Sequence, residues 1–392
     1  MRILLATDGI SPFVMGGMQR HSFFVCKWLV KNGINVTLYH CVHEGDELIE
    51  NKDLIELFSF NNEESTLLSS KCFHFPSAVK LPGHYLRRSR SYSQMLYEHW
   101  ETENQPVDFI FCKGFTALAF IKAKKKGRKI PFIGSKLHGL NMYQKSANYK
   151  TYFQSKMLQL LSNEVIAQSD MSFSYGGKIT TKLLDLGVDK RKIIEIPSGI
   201  ERSWLIEHIP KEKNSVKVFS FVGRYDRVKG LPELYLAIKE VEKDFLGKII
   251  FRFAGPIPEA EQLKSDVVEY VGQISDSNEM KSFLDKTDVL LSPSWSEGMP
   301  NVIIEAMSRS CAIIATDTGA VSELVSSKNG ILLASPEPKG IQEAIVHLAN
   351  LDWQELETLQ KESLQKIRND FLWEDIAKQL TEKIKTWITS NP

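Results

Sequence analysis

Two glutamates stand eight positions apart in the segment Ser296-Glu-Gly-Met-Pro-Asn-Val-Ile-Ile-Glu-Ala-Met307. Pro300 suits the first turn of a helix, where its missing N–H would have no partner in any case. Glu297 then falls in the loop before that helix and Glu305 in its second turn, with Val302, Ile303 and Ala306 supplying an apolar face. A helix start offers free amides and a positive dipole end, which suit a diphosphate, and Met299, Pro300 and Asn301 form that turn. A carboxylate in the preceding loop could accept hydrogen bonds from sugar hydroxyls, and one further along could hold ribose hydroxyls. A capped amphipathic helix with ordinary surface glutamates would show the same pattern.

A second segment, Phe221-Val-Gly-Arg-Tyr-Asp-Arg-Val-Lys-Gly230, follows an expected strand and precedes an expected helix. Arg224 and Lys229 lie in its loop. Fixed cations there could neutralise charge developing on a diphosphate leaving group, Lys as a point charge and Arg with a fork. Gly16 and Gly17 come between the first strand and the first helix, where glycine permits close backbone approach to a ligand. Alone that is a weak signal, as a solvated turn is for the Arg224/Lys229 loop. His138, in Lys136-Leu-His-Gly-Leu140, is placed just past a strand, at the carboxyl end where ligands bind.

The elements that must carry these residues are short apolar, β-branched runs at Ile3–Ala6, Val36–Tyr39, Phe109–Cys112, Phe132–Ser135, Met171–Ser174 and Ile193–Ile196. Helical patterns at Met18–Asn32, Thr116–Lys126 and Gly177–Leu186 fall between several of them. The alternation resumes at Val218–Val222, Ile249–Ala254, Val267–Val271, Val289–Ser292, Ala312–Thr316 and Gly330–Leu333, with helices Leu231–Glu242, Glu279–Lys286, Pro300–Ser308 and Lys339–Ala349. Buried parallel strands alternating with helices predict two doubly wound α/β sheets facing across a cleft. The expected divisions are 1–205, 206–372 and a C-terminal helix over 373–392 that crosses back to the first domain. The polar stretch Pro210–Ser215 reads as a linker, and 44–105 as an insertion of helices and loops.

The 392 residues exceed one typical core. Net charge is +1, but 80–156 holds 15 Lys and Arg against 4 Asp and Glu. That excess predicts a basic face. It includes Lys124, Lys125, Lys126, Arg128 and Lys129, with Tyr85, Tyr92, Tyr97, Trp100, Tyr143, Tyr149, Tyr152 and Phe153 interleaved, a composition suited to an anionic membrane. No nucleic-acid motif accompanies it. Five dispersed cysteines without a CxxC pair exclude a structural zinc site and fit reduced thiols. The chain enters a strand at Ile3 without a leader pattern, so no signal peptide is expected. The expected location is cytoplasmic, with peripheral attachment to the inner membrane face.

Taken together, these segments resemble the retaining glycosyltransferases of family four, which have the two-domain GT-B fold. The resemblance covers nearly the whole chain and is strongest from Val218 to Leu333. There it adds Phe253-Ala-Gly-Pro256, Tyr270-Val-Gly272, Ser292-Pro-Ser294, and Ala315-Thr-Asp-Thr-Gly319 with Glu323. It implies transfer of a sugar from a nucleotide-sugar, UDP- rather than GDP-linked, to a lipid-linked or cell-envelope glycan. It further implies that Gly16 and Gly17 bring backbone amides to the donor diphosphate, and that His138 meets the transferred sugar. Arg224 and Lys229 would hold the diphosphate, Gln273 and Ile274 would read the base, Glu297 would bind the sugar and Glu305 the ribose. No Asp-x-Asp triplet occurs, which agrees with a mechanism needing neither metal nor other cofactor. The rivals are a nucleotide-sugar epimerase on the same fold and a non-catalytic binding relic. The absence of G-x-G-x-x-G and G-x-x-x-x-G-K-[ST] disfavours dinucleotide oxidoreductases and P-loop kinases.

Overall fold

The computed structural model describes residues 1–78, 83–144, 149–207 and 216–391. The expected linker Pro210–Ser215, and Lys80 and Lys145 of the basic stretch, lie outside them. The chain divides into two compact units: Met1–Tyr143 with Tyr152–Pro197 and Trp373–Pro392, and Gln144–Thr151 with Ser198–Leu372.

The first unit runs β1 (Arg2–Ala6), α1 (Gly17–Lys31), β2 (Asn35–Val42), α2 (Asn51–Phe58), α3 (Asn62–Thr66), β3 (Leu68–His74), α4 (His84–Glu103), β4 (Phe109–Lys113), α5 (Leu118–Lys125), β5 (Phe132–Lys136), α6 (Tyr149–Gln168), β6 (Met171–Ser174), α7 (Gly177–Asp185) and β7 (Ile193–Glu195). Its seven strands pair in parallel in the order β3-β2-β1-β4-β5-β6-β7. Such strands are covered on both faces, so they read as continuous apolar runs. Ile3, Leu5, Val36, Leu38, Phe109, Phe111 and Phe173 share one core, which Trp373, Ile376 and Leu380 from the chain's last helix complete. Gly134 in β5 leaves room for two of its rings: a Cβ there would stand 2.4 Å from Phe109 Cζ and 2.5 Å from Phe173 Cε2.

The second unit runs β8 (Lys217–Val222), α8 (Leu231–Val241), β9 (Ile249–Ala254), β10 (Val268–Gly272), α9 (Ser277–Asp285), β11 (Val289–Ser292), α10 (Asn301–Ser308), β12 (Ala312–Thr316), β13 (Gly330–Leu333), α11 (Pro338–Asn350) and α12 (Trp353–Asp370); α13 (Trp373–Ser390) is the helix packed on the first unit. The six strands are again parallel, in the order β10-β9-β8-β11-β12-β13. Its core gathers Phe219, Phe221, Phe251, Phe253, Val289, Ile314 and the inward faces of α8 and α11.

Both sheets are the doubly wound type expected from the sequence. In each, strand order reverses beside the first strand of the unit, between β1 and β4 and between β8 and β11. A doubly wound sheet opens a crevice beyond its strand ends at such a point. The stretch 44–105 is no insertion: β3 extends the sheet at its edge. With only one neighbour, β3 leaves Ser69, Lys71 and His74 facing solvent, so its sequence is polar. The helix after β11 begins at Asn301, with Pro300 as the residue before it rather than in its first turn.

Candidate functional site

In the second unit the loops after β8 and β11 emerge side by side at the strand reversal. Lys229 Nζ donates to Glu297 Oε1 at 2.7 Å, and Ser294 Oγ donates to the same oxygen at 2.7 Å. The pair is partly screened from water, so it orients both groups more firmly than a surface ion pair would. The two loops are also laced by backbone, Trp295 N–H donating to Val228 O at 2.8 Å. Gly230 makes this approach possible. Its φ is 70°, and a Cβ there would lie 1.9 Å from Pro293 O. Gln144, which groups with this unit, brackets the Glu297 peptide: its Nε2 donates to Glu297 O at 2.6 Å and its Oε1 accepts from Glu297 N–H at 3.1 Å.

Beyond Glu297 the chain enters α10. No side chain caps this helix, so amides of its first turn are left for a ligand. Ser198 holds the turn, its N–H 3.1 Å from Met299 Sδ and its hydroxyl donating to Asn301 Oδ1 at 2.9 Å. Glu305 sits in the second turn and is buried. Arg224 is exposed and has no partner among the described residues, whereas neighbouring Arg227 is bound to Glu233 and lies over the Trp295 ring. Gln273 and Ile274 follow β10, two strands from β8, and Gln273 bonds to nearby Ser275. The structure thus joins Lys229 directly to Glu297 and places Met299, Pro300, Asn301 and Glu305 on the adjoining helix start. Arg224, Gln273 and Ile274 stand after strand ends, with no bond to that group among the described residues.

In the first unit Gly16 precedes α1 and Gly17 opens it, again with no side-chain cap. His138 follows β5 at φ 48°, a left-handed conformation uncommon outside glycine. Its Nδ1 lies 3.1 Å from the hydroxyl of Tyr175, the residue just after β6. Around these stand groups that pattern reading assigned no role. Lys113 and Lys136 end β4 and β5 with no solvent exposure. Lys113 Nζ lies 2.8 Å from His21 Nδ1 and donates to Met18 O at 3.2 Å. Lys136 Nζ donates to Ile196 O at 2.8 Å and sits 3.6 Å from the centre of the Tyr175 ring.

Burial dominates the charge state here, because desolvation disfavours ions. It holds both lysines well below the usual amine range, and Lys113 lowers Lys136 further. It lowers His138 to about 3 with help from Lys113 and Lys136, and carries His21 down as well. It lifts Asp8, beside α1, to about 6 against the opposing pull of Lys113. Two of the lysines counted toward a basic face are therefore interior. Tyr92 and Tyr97 are interior too, while Lys124 and Lys125 pair with Asp170 and Glu164. Lys122, Lys126, Arg128 and Lys129 remain exposed, as do Tyr85 and, on α6, Tyr149, Tyr152, Phe153 and Leu160. Among the described residues no helix is long and apolar enough to cross a membrane. None gathers three or more His, Cys, Asp or Glu side chains as a metal site.

Comparison with known proteins fits this geometry. Residues 15–204 match the model described as Glycosyltransferase Family 4, and residues 216–350 match Glycosyl transferases group 1. The chain is 34% identical over 125 residues to the putative teichuronic acid biosynthesis glycosyltransferase TuaC of Bacillus subtilis, covering 32% of this chain and 31% of that protein. It is 26% identical over 252 residues to the capsular polysaccharide biosynthesis glycosyltransferase CapM of Staphylococcus aureus, covering 60% and 65%. These stretches span from about a third to just under two thirds of the relatives. In structure the chain is similar to sucrose-phosphate synthase from Thermosynechococcus elongatus, with TM-score 0.77, 15% identity and all of both chains covered. It is also similar to HepE of Anabaena in complex with UDP and glucose, with TM-score 0.68, 16% identity, and 98% and 100% covered. These likenesses place the two parallel-sheet units in the GT-B class.

Proposed function

The chain belongs to glycosyltransferase family 4, and on that premise we propose that it is a retaining, metal-independent transferase acting on a UDP-sugar in the synthesis of a capsular or other cell-envelope polysaccharide. The observation that carries the donor assignment is the Lys229–Glu297 pair at the β8/β11 reversal, set against the uncapped start of α10. Arg224 and Lys229 neutralise the diphosphate as the bond from the sugar carbon to the phosphate oxygen breaks. Glu297 and His138 meet the sugar, Glu305 takes the ribose, the amides at Gly16 and Gly17 approach the diphosphate, and Gln273 and Ile274 read the base. Met299, Pro300 and Asn301 form the turn beneath it. The acceptor oxygen joins the same face of the sugar carbon that the phosphate leaves, through an oxocarbenium-like state, and its proton passes to the departing phosphate oxygen. UDP in the HepE structure and the polysaccharide-synthesis names of the relatives support this choice of donor and pathway class.

A panel of UDP- and GDP-sugars, assayed with EDTA and followed by NMR of the product anomer, tests this reading. Transfer from one UDP-sugar with retained configuration is expected. Inversion, an absolute need for Mg²⁺ or Mn²⁺, or epimerised donor without transfer would each overturn a named part of it. The acceptor is lipid-linked in this proposal, and the exposed first half of α6 is the docking element. Aromatic side chains favour the headgroup boundary, and Lys156 beside them favours anionic lipid. Flotation with phosphatidylglycerol vesicles should be lost in a Tyr152→Ser/Phe153→Ser variant. Equal flotation of that variant and the wild type would remove α6 from the membrane.

A further inference from the structure

Tyr175 has a job that its position after β6 does not announce. Its side chain is buried, and its only hydrogen-bond partner among the described residues is His138 Nδ1, at 3.1 Å. A buried phenol must place its proton on an acceptor, since an unsatisfied buried donor forfeits the hydrogen bond it made with water. Were Nδ1 to carry the proton and donate to the tyrosine oxygen, the phenol's own proton would have no acceptor among the described residues. The ring is clamped from several sides. Lys136 Nζ lies 3.6 Å from its centre, His21 meets it edge-on at 5.4 Å, and the His138 ring stands nearly perpendicular to it at 80°. His138 in turn is fixed by a left-handed backbone. A hydroxyl so held cannot swing to another partner without opening the core.

We propose that Tyr175 is a positioning residue for His138, its hydroxyl donating to Nδ1 so that the ring keeps its proton on Nε2 and presents a hydrogen-bond donor to the bound sugar. Which nitrogen of a histidine carries the proton is set by the bond the other makes. Lys113, Lys136 and His21 are the other titratable groups facing this pair, and burial lowers the proton affinity of all three. The imidazole stays uncharged beside a sugar carbon that gains positive charge during transfer. This inference rests on the reading that His138 meets the transferred sugar.

The test uses the full chain labelled with ¹⁵N-histidine, the His138 signal being identified by its loss in His138→Gln. The wild-type ring should show a protonated Nε2 and a bare, hydrogen-bonded Nδ1. Tyr175→Phe keeps the ring and removes the hydroxyl. It should yield a mixture of tautomers and lower kcat by on the order of 10- to 100-fold, with the UDP Kd and the donor KM held within about twofold. A wild-type Nδ1–H tautomer would overturn the proposal, even if the variant failed to fold. So would a folded Tyr175→Phe with unchanged tautomer and unchanged kcat. Normal turnover in His138→Gln would instead defeat the role of His138 at the sugar, while the tautomer result would still report whether Tyr175 sets the ring.

Discussion

The two units present the same sheet, wound the same way, yet treat charge in opposite fashion at their strand ends. In the second unit Arg224 is exposed and Lys229 is only partly buried, against Glu297. In the first unit Lys113 and Lys136 end β4 and β5 but lie inside the protein, where burial lowers their proton affinity together with that of His21 and His138. One end leaves its cations open to solvent. The other keeps its polar groups out of water. The fold supplies positions; exposure decides what lysine does in them.

Removing charge from the second unit should have the largest effect. Arg224→Ala or Lys229→Ala should each reduce turnover by roughly 10²–10³ while the chain stays folded, because a preorganised charge contact is lost. Steady-state kinetics with the best donor checks this, and near-normal turnover in either variant removes that residue from the site. Gly230→Ala comes next. At φ 70° and 1.9 Å from Pro293 O, the new methyl must push apart the two loops that carry Lys229 and Glu297. Strain of this kind costs of order 1–3 kcal/mol, read as a lower urea midpoint accompanied by weaker UDP binding. A variant as stable as wild type would mean the loops are not held as close as described.

The two glutamates sharpen the comparison within the second unit. Glu305→Gln should weaken UDP binding by about tenfold, the usual worth of one charge-assisted hydrogen bond, whereas Glu297→Gln should spare nucleotide affinity and impair transfer. Equal loss of UDP affinity in both would dissolve that division. The first unit is tested through stability rather than binding. Folded His138 takes a proton only near 3, whereas the unfolded chain takes it near 6.5. Acid therefore favours the unfolded state between those values. Wild type should lose about 1.4 kcal/mol per pH unit relative to His138→Gln from pH 6.5 downward, measured by urea titration at pH 7 and pH 5. Parallel pH dependence in the two proteins would show that the folded imidazole protonates normally.

The central strands were legible because burial on both faces demands unbroken apolar runs such as Phe109–Cys112 and Val289–Ser292. The Glu297/Glu305 helix and the Lys229 loop were legible because their chemistry is local in sequence. β3 was not, since an edge strand half in water alternates with polar residues. α6 was hidden by the aromatics it leaves in solvent, which break the usual one-sided pattern. Lys113 and Lys136 were misread as surface charge because burial of a lysine is decided by distant chain, here Met18, His21 and Ile196. A lysine directly ending an apolar strand was the one available sign. Tyr175 gave no sign at all, for its partner is 37 residues away.

The central claim is that the strand reversal between β8 and β11 holds a nucleoside diphosphate. Titration calorimetry with UDP alone, on wild type, Lys229→Ala and Glu305→Gln, tests it without any assumption about sugar or acceptor. Binding to the wild type that weakens at least about tenfold in both variants is the predicted result. No binding of UDP to the folded wild-type chain, or equal affinity in all three proteins, would contradict it.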